Sequence, residues 1–206
     1  MLRLTIASAF LVVLASGCGS DSGSEDGHDE STGGSAETEA PADAGATYFE
    51  RADSDAINST AATAQQALAK AYTQRTQKRC NAAVSEGYPA WRMCWHQALD
   101  PVEQGLVGLS TEMERLAGQE FQDKCVEQLT SAAATFEEMR TRIGGLLTRI
   151  DSDERASQQR AMNTYNRELL AVGRGFAPTF RSLTKVCYSP EDLASINASP
   201  SPSPTG

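Results

Sequence analysis

The sequence predicts an all-α fold in which four helices form an up-down-up-down bundle held by two disulfides. Three observations predict it: apolar residues recur every three or four positions over long stretches, no alternating strand pattern competes, and the connections between the stretches are short. The connections are expected near Gly87, Gly118 and Asp151. Because short connections place consecutive helices antiparallel, the chain should run up and down through the bundle.

Each predicted helix has one apolar face, which should bury against a common core. The first face carries Ile57, Ala61, Ala64, Leu68 and Tyr72. The second carries Leu99, Val102, Leu106, Leu109, Met113 and Leu116. The third carries Cys125, Leu129, Ala132, Phe136, Met139, Ile143, Leu146 and Ile150. The fourth carries Met162, Tyr165, Leu169, Val172, Phe176, Phe180, Leu183 and Cys187.

Polar residues that can cap exposed amide groups indicate where helices start. Capping-box spacing occurs at Thr47–Glu50 and at Asp151–Glu154, and Asp100 stands directly before Pro101. Proline lacks an amide hydrogen, so Pro101 is expected to kink or split the second helix and to leave residues 90–99 as a short lead-in.

Four of the five cysteines fall in the helical region, and the topology pairs them. Cys80 and Cys94 each lie seven residues from Gly87, so an antiparallel helix pair places them opposite each other. Cys125 near the start of the third helix and Cys187 near the end of the fourth should meet at the other end of the bundle. A four-cysteine metal site is the alternative, and the absence of Cys-x-x-Cys spacing argues against it.

The first residues have the features of a bacterial export signal. Arg3 precedes a short apolar run over residues 4–14, which is shorter than the roughly 20 residues that span a bilayer. The segment Leu14-Ala15-Ser16-Gly17-Cys18 resembles the lipobox of bacterial lipoproteins, although Ala15 stands where leucine is commoner. The resemblance implies cleavage before Cys18, lipidation of Cys18 with palmitate-type acyl chains, and an extracytoplasmic, membrane-anchored protein. An ordinary secretion signal is the alternative.

The net charge of -9 is unevenly distributed. Between Cys18 and Thr47 there is no Lys or Arg, and the eight acids are Asp21, Glu25, Asp26, Asp29, Glu30, Glu37, Glu39 and Asp43. Of the 27 acids and 18 bases in the chain, 19 acids and 17 bases remain once these eight and Arg3 are set aside. We therefore expect a signal peptide over residues 1–17, a disordered acidic stalk over 18–46, a helical domain over 47–196, and a disordered Ser/Pro-rich tail over 197–206.

Few residues in the helical domain could carry chemistry. His96 is its single histidine, the four cysteines are expected to be paired, and no Gly-rich phosphate loop follows a strand. We therefore expect no catalytic residues, no metal site and no cofactor. The near-neutral domain without a basic stripe also argues against nucleic acid as a partner.

One aromatic segment is a candidate binding patch, formed by Tyr88, Trp91, Trp95 and His96. On a helix the three aromatic residues share a face and could stack on a glycan or on a protein partner. The favoured interpretation is that they plug the end of the bundle beside a disulfide.

Small residues fall at a similar depth in all four predicted helices, at Ala64, Ala67, Gly105, Gly108, residues 132–134, Gly173 and Gly175. They should form either a narrow waist, which is favoured, or a pocket for an apolar ligand. The leading functional hypothesis is a non-catalytic, lipid-anchored binding module of the cell envelope with a protein or glycan partner. The alternative is a carrier of a small apolar ligand or cofactor in the bundle interior.

Overall fold

The structure, a computed structural model, describes residues 47 to 198, and for residues 195 to 198 it describes the backbone alone. The predicted signal peptide, stalk and most of the tail lie outside the described residues. Within them the chain forms six α-helices, one 3-10 turn at Ala83–Glu86 and no β-strand, which confirms the all-α class. The helices are α1 (Arg51–Tyr72), α2 (Gln74–Ala82), α3 (Tyr88–Ala117), α4 (Asp123–Asp151), α5 (Arg155–Cys187) and α6 (Pro190–Ala198).

The first predicted helix is divided in two at Thr73, which the apolar pattern did not indicate. Thr73 has an extended backbone, with φ of -65° and ψ of 140°, so it ends α1 and precedes α2. Its hydroxyl oxygen accepts a hydrogen bond from the backbone N–H of Thr76 at 3.2 Å and thereby caps α2. A threonine that bonds to nearby backbone groups competes with helix continuation, which explains a break without glycine or proline.

The predicted helix starts were displaced or wrong. α1 is capped by Glu50 rather than Thr47, because Glu50 and Asp53 form the reciprocal capping box. α4 extends through Asp151, and Glu154 precedes α5. Helix α6 is nine residues long and contains residues 197 and 198, which were predicted to begin the disordered tail.

The predicted split at Pro101 is also wrong, because α3 continues through this residue from Tyr88 to Ala117. Pro101 cannot donate to the carbonyl of Gln97, but Gln97 lies on the exposed side of α3, where water can solvate the carbonyl. On the opposite side Leu99 and Val102 are buried. Burial of the residues that precede and follow the proline in sequence therefore holds the helix together.

The core is built around α3, which packs against α1 and α4, while α5 packs against α4. α1 makes fewer close contacts with α5 than with α3. The predicted apolar faces are buried with few exceptions, and the largest fully buried side chains belong to them or to Trp95. Ala71 is buried in place of Tyr72, and Met162 and Phe180 are half-buried against the core.

Helices α1 and α3 approach each other closely at Gly105. A β-carbon built on Gly105 would lie 2.7 Å from the Cα and 2.8 Å from the Cβ of Ala64. On α5, the side chain of Met139 occupies the space beside Gly175. These contacts form a narrow waist at Gly105, whereas Ala134 is exposed and lines an open groove of about 500 Å³ between α3 and α4.

Both predicted cysteine pairings are confirmed. Cys80 and Cys94 are joined with a Cα–Cα distance of 5.2 Å, and Cys125 and Cys187 with 5.0 Å. The bonds close sequence separations of 14 and 62 residues. Loop-closure entropy then contributes roughly 3 kcal/mol for the first disulfide and roughly 4 kcal/mol for the second.

We expect Gly105→Ala to destabilise the protein, because the added methyl group meets backbone and Cβ atoms of Ala64 that cannot move aside singly. The loss in the free energy of unfolding should be about 1 to 3 kcal/mol, even though alanine favours helix by about 1 kcal/mol. Urea unfolding with both disulfides intact measures it. Gly145→Ala is the matched control, since nothing lies within 4 Å of its added methyl group, and it should be stabilising. Equal effects of the two substitutions would contradict the waist.

Candidate functional site

The two ends of the helical domain differ, and the candidate site lies at one of them. The chain enters the domain at the end where Cys125 joins Cys187, because the backbone N–H of Phe49 donates to the carbonyl of Cys187 at 2.9 Å. The ring of Phe49 packs edge-on against Phe121 and Tyr188, with centroids 5.2 and 5.5 Å away. We call the other end, formed by residues 83–96 and the α4–α5 turn at 151–154, the tip.

The tip is shaped by a turn at Gly87. This residue has φ of +109°, a conformation that side-chain-bearing residues rarely adopt, and it separates the 3-10 turn from α3. The Cys80–Cys94 disulfide then ties α2 to α3 just behind the turn. Pro89 in the first turn of α3 needs no helical hydrogen-bond partner for its nitrogen. The sequence therefore fixes a tight reversal here.

Both tryptophans of the predicted patch are core residues, with 6% of Trp91 and 1% of Trp95 exposed. The Trp95 ring lies 4.7 Å from that of Tyr165, and the Tyr165 hydroxyl donates to the carbonyl of Ala71 at 2.9 Å. Burial raises the pKa of Tyr165 well above its ordinary value. The tryptophans therefore form the favoured end plug and not the alternative stacking platform, because residues at positions 91 and 95 share the buried face of α3 with Ala98.

The indole N–H of Trp95 has no acceptor among the described residues. Its neighbour Tyr165 uses its hydroxyl on the carbonyl of Ala71 instead. A buried donor without an acceptor is destabilising, so the stabilising contribution of Trp95 comes from the burial of its large apolar ring.

Exposed apolar side chains at the tip were missed by the sequence reasoning, apart from Tyr88. The described residues include five large exposed hydrophobic side chains, and three of them lie within ten positions at the tip: Val84 (49% exposed), Tyr88 (48%) and Met93 (56%). The sequence could have revealed Met93, because it does not fall at the three- or four-residue spacing of the buried residues of α3. Val84 belongs to the 3-10 turn, whose orientation the helical period does not predict.

His96 lies at the surface of the tip between two carboxylates. Its Nδ1 is 3.0 Å from an oxygen of Asp100, one turn farther along α3, and its Nε2 is 2.8 Å from an oxygen of Asp151 at the end of α4. The hydrogen bond to Asp151 is the largest cause of a raised pKa of His96, burial opposes it, and the bond to Asp100 adds to it. Both ring nitrogens are occupied, so His96 serves as a bridge between helices.

Arg92, one turn before His96, also holds the α4–α5 turn. Its guanidinium donates to Asp153 at 2.7 Å and to the carbonyl of Ser152 at 3.2 Å. We call the contacts of Arg92 and His96 with residues 151–153 the clasp. The predicted patch is thus divided by the structure: Tyr88 is exposed, His96 belongs to the clasp, and the tryptophans are internal.

The chemistry that the tip can support is limited. The described residues contain no group of three or more His, Cys, Asp or Glu side chains that could hold a metal ion. Among the helices of residues 47–198, none is both long enough and apolar enough to cross a membrane. Comparison with protein-family models, curated proteins and solved structures found no match for this chain.

The clasp should make stability depend on pH through His96. Because the pKa of His96 is raised in the folded protein, its contribution is fully present below about pH 6.5 and is lost as the pH rises through the folded pKa. The unsubstituted protein should have a larger free energy of unfolding than His96→Gln, and the difference should be largest at pH 5.5. It should stay below about 1 kcal/mol, because the ion pair is exposed, and it should shrink toward pH 8.5.

The same titration can be followed by NMR, in which His96→Gln assigns the imidazole signal. Asp151→Asn should lower the pKa of His96 more than Asp100→Asn does, because the Asp151 hydrogen bond is the larger cause. A midpoint at or below 6.5, or a midpoint unchanged by Asp151→Asn, would contradict the clasp.

Proposed function

We propose that this protein is a non-catalytic binding module, anchored by lipid on Cys18 to the extracytoplasmic face of a bacterial membrane. The lipobox-like segment before Cys18 supports the anchor, and an acylated cysteine explains why the chain has an odd number of cysteines. The paired Cys80–Cys94 and Cys125–Cys187 are consistent with an oxidising compartment outside the cytoplasm.

We infer that α1, α3, α4 and α5 form an up-down-up-down four-helix bundle, with α2 as a continuation of α1 beyond Thr73. The inference is supported by the packing of α1 on α3, α3 on α4 and α4 on α5. Three contacts join α1 and its flanking residues to α5: Phe49 to Cys187, Leu68 to Gly173, and Ala71 to Tyr165.

The exposed apolar side chains at the tip are the main support for the proposed binding function. Val84, Tyr88 and Met93 lie close in sequence around the Gly87 turn, whereas the other two large exposed hydrophobic residues of the described part of the chain lie away from it, Val107 in the second half of α3 and Leu170 near the middle of α5. Apolar side chains left exposed at one end of the domain favour a protein surface as the partner. With both tryptophans buried, the tip offers less to a stacked glycan.

The direction of the domain also favours the tip as the binding surface. The proposed stalk joins the domain beside Cys187, and α1 with its 22 residues runs for about 33 Å from there toward the tip. The module would then present, at the far end of its helices, the surface that carries the exposed apolar residues.

The carrier alternative has less support. The small residues expected to line a pocket instead close on each other where Gly105 meets Ala64, and Met139 fills the space beside Gly175. The non-catalytic assignment is supported by the use of both His96 nitrogens in the clasp and by the pairing of all four domain cysteines.

The anchor can be tested with Cys18→Ala. In a bacterial host fed an alkyne-labelled palmitate analogue, the unsubstituted chain should incorporate label and sediment with membranes, because two or more acyl chains hold a protein stably on a bilayer. Cys18→Ala should carry no label and leave the membrane fraction. Label that persists in Cys18→Ala would contradict lipidation at this residue.

The tip can be tested by placing a photo-crosslinking amino acid at Tyr88 or Met93 in living cells. Positions 107 and 170 are matched controls, since Val107 is 44% and Leu170 is 40% exposed. We expect one defined crosslinked species from the tip positions and none from the controls. Equal crosslinking at all four positions, or none at the tip, would remove the tip as the binding surface.

A further inference from the structure

A basic pocket lies at the junction between α1 and α2, outside the apolar tip surface. It has a volume of about 380 Å³ and is lined by Lys70, Thr73, Arg75, Thr76 and Arg79. Three of these five side chains are cationic and exposed. The junction exists because Thr73 interrupts the helix, so the helical period of the sequence gave no sign of it.

The positive charge of the pocket is not compensated locally. Between Asp55 and Glu86 the sequence contains no acidic residue, while it contains four basic ones. Within residues 47–198 none of the three cations lining the pocket forms an ion pair. Five other arginines in this part of the chain do, namely Arg92, Arg115, Arg140, Arg142 and Arg167. A concave surface with one sign of charge concentrates ions of the opposite sign.

The frame that carries these cations is fixed. The hydroxyl of the buried Thr76 donates to the carbonyl of Lys70 at 2.9 Å, which ties α2 back onto the end of α1. The side-chain amide of Gln77 donates to Asn166 of α5 at 2.9 Å. The disulfide of Cys80 then fastens the end of α2 to α3. The cationic side chains are therefore mounted on backbone that does not have to be ordered when a ligand binds.

We propose that this pocket binds a phosphate ester through Lys70, Arg75 and Arg79. A carboxylate carries one charge and is satisfied by one arginine fork, whereas three cations lining one pocket complement an oxyanion with up to two charges and three free oxygens. Two planar guanidinium groups can each donate a pair of hydrogen bonds to such a group, and the ammonium group of Lys70 adds a point charge. The site is separate from the tip residues and does not depend on the proposed function.

The test is an NMR titration of the full chain carrying Cys18→Ala, exported so that both disulfides form, with inorganic phosphate at constant pH. Amide signals of residues 70–79 should shift and saturate, whereas sodium chloride of equal ionic strength should not reproduce the effect. The triple substitution of Lys70, Arg75 and Arg79 by Gln should weaken binding by about tenfold or more in total, since each exposed charge pair contributes only about two- to fivefold.

The matched control replaces Lys124, Arg174 and Arg181 by Gln. It removes one lysine and two arginines that are exposed and form no ion pair among the described residues, so the net charge changes equally. Unchanged phosphate binding in the control, with loss in the triple variant of the pocket, supports the site. Shifts that grow linearly without saturation, or equal losses in both variants, would overturn it.

A second arm distinguishes the source of the phosphate group. The same variants are mixed with vesicles of phosphatidylcholine with and without phosphatidylglycerol. Added binding to the anionic vesicles that is lost only in the pocket variant identifies a lipid headgroup as the ligand. Saturable binding of inorganic phosphate without any such preference for anionic vesicles identifies a soluble phosphate ester.

Discussion

The contact between Ala64 and Gly105 sets the distance between α1 and α3, and much of the domain depends on this distance. The buried face of α1 is built largely from alanines, which bury little apolar area unless the neighbouring helix comes close. Gly105 allows this approach because it has no side chain on the side facing α1. α1 packs against α3, and α2 follows it to the position where Cys80 meets Cys94.

The α4–α5 turn at the tip and the end where the chain enters are held by different kinds of interaction. Where the chain enters, an aromatic cluster around Phe49 is buried beside the Cys125–Cys187 disulfide, so water is excluded and the link is covalent. At the tip, the α4–α5 turn is held to α3 by the clasp, whose ion pairs are partly exposed and contribute at most about 1 kcal/mol each. The α4–α5 turn should therefore open locally more readily than the end where the chain enters.

The sequence was sufficient to predict the helical class, most of the core and both disulfides, because these depend on periodicity and on the geometry of antiparallel helices. It was insufficient at Thr73 and Pro101, where local preference and tertiary packing compete. Thr73 breaks a helix through its own hydrogen bonds, while Pro101 fails to break one because Leu99 and Val102 are buried around it. No pattern of spacing shows whether the local preference of a residue or the burial of its neighbours is the larger effect.

The candidate site shows the same limit in a different form. Tyr88, Trp91 and Trp95 share a helical spacing, but the spacing alone does not show whether the shared face meets the core or the solvent. The answer depends on Tyr165, which packs against Trp95 from a position 70 residues later in the chain. The basic pocket at Arg75 depends on an irregular element, the junction at Thr73, so it becomes visible once the helices are assembled.

The Cys80–Cys94 disulfide relates the two surfaces proposed for binding. Arg79 of the basic pocket directly precedes Cys80, and Met93 of the tip directly precedes Cys94, so the bond connects the backbone carrying one surface to the backbone carrying the other. Without a covalent link, α2 would be attached through the α1 junction and a few polar contacts such as Gln77 with Asn166. With it, a cationic pocket and an apolar surface are held in a fixed relation, which is the condition under which one partner could engage both without ordering α2 first.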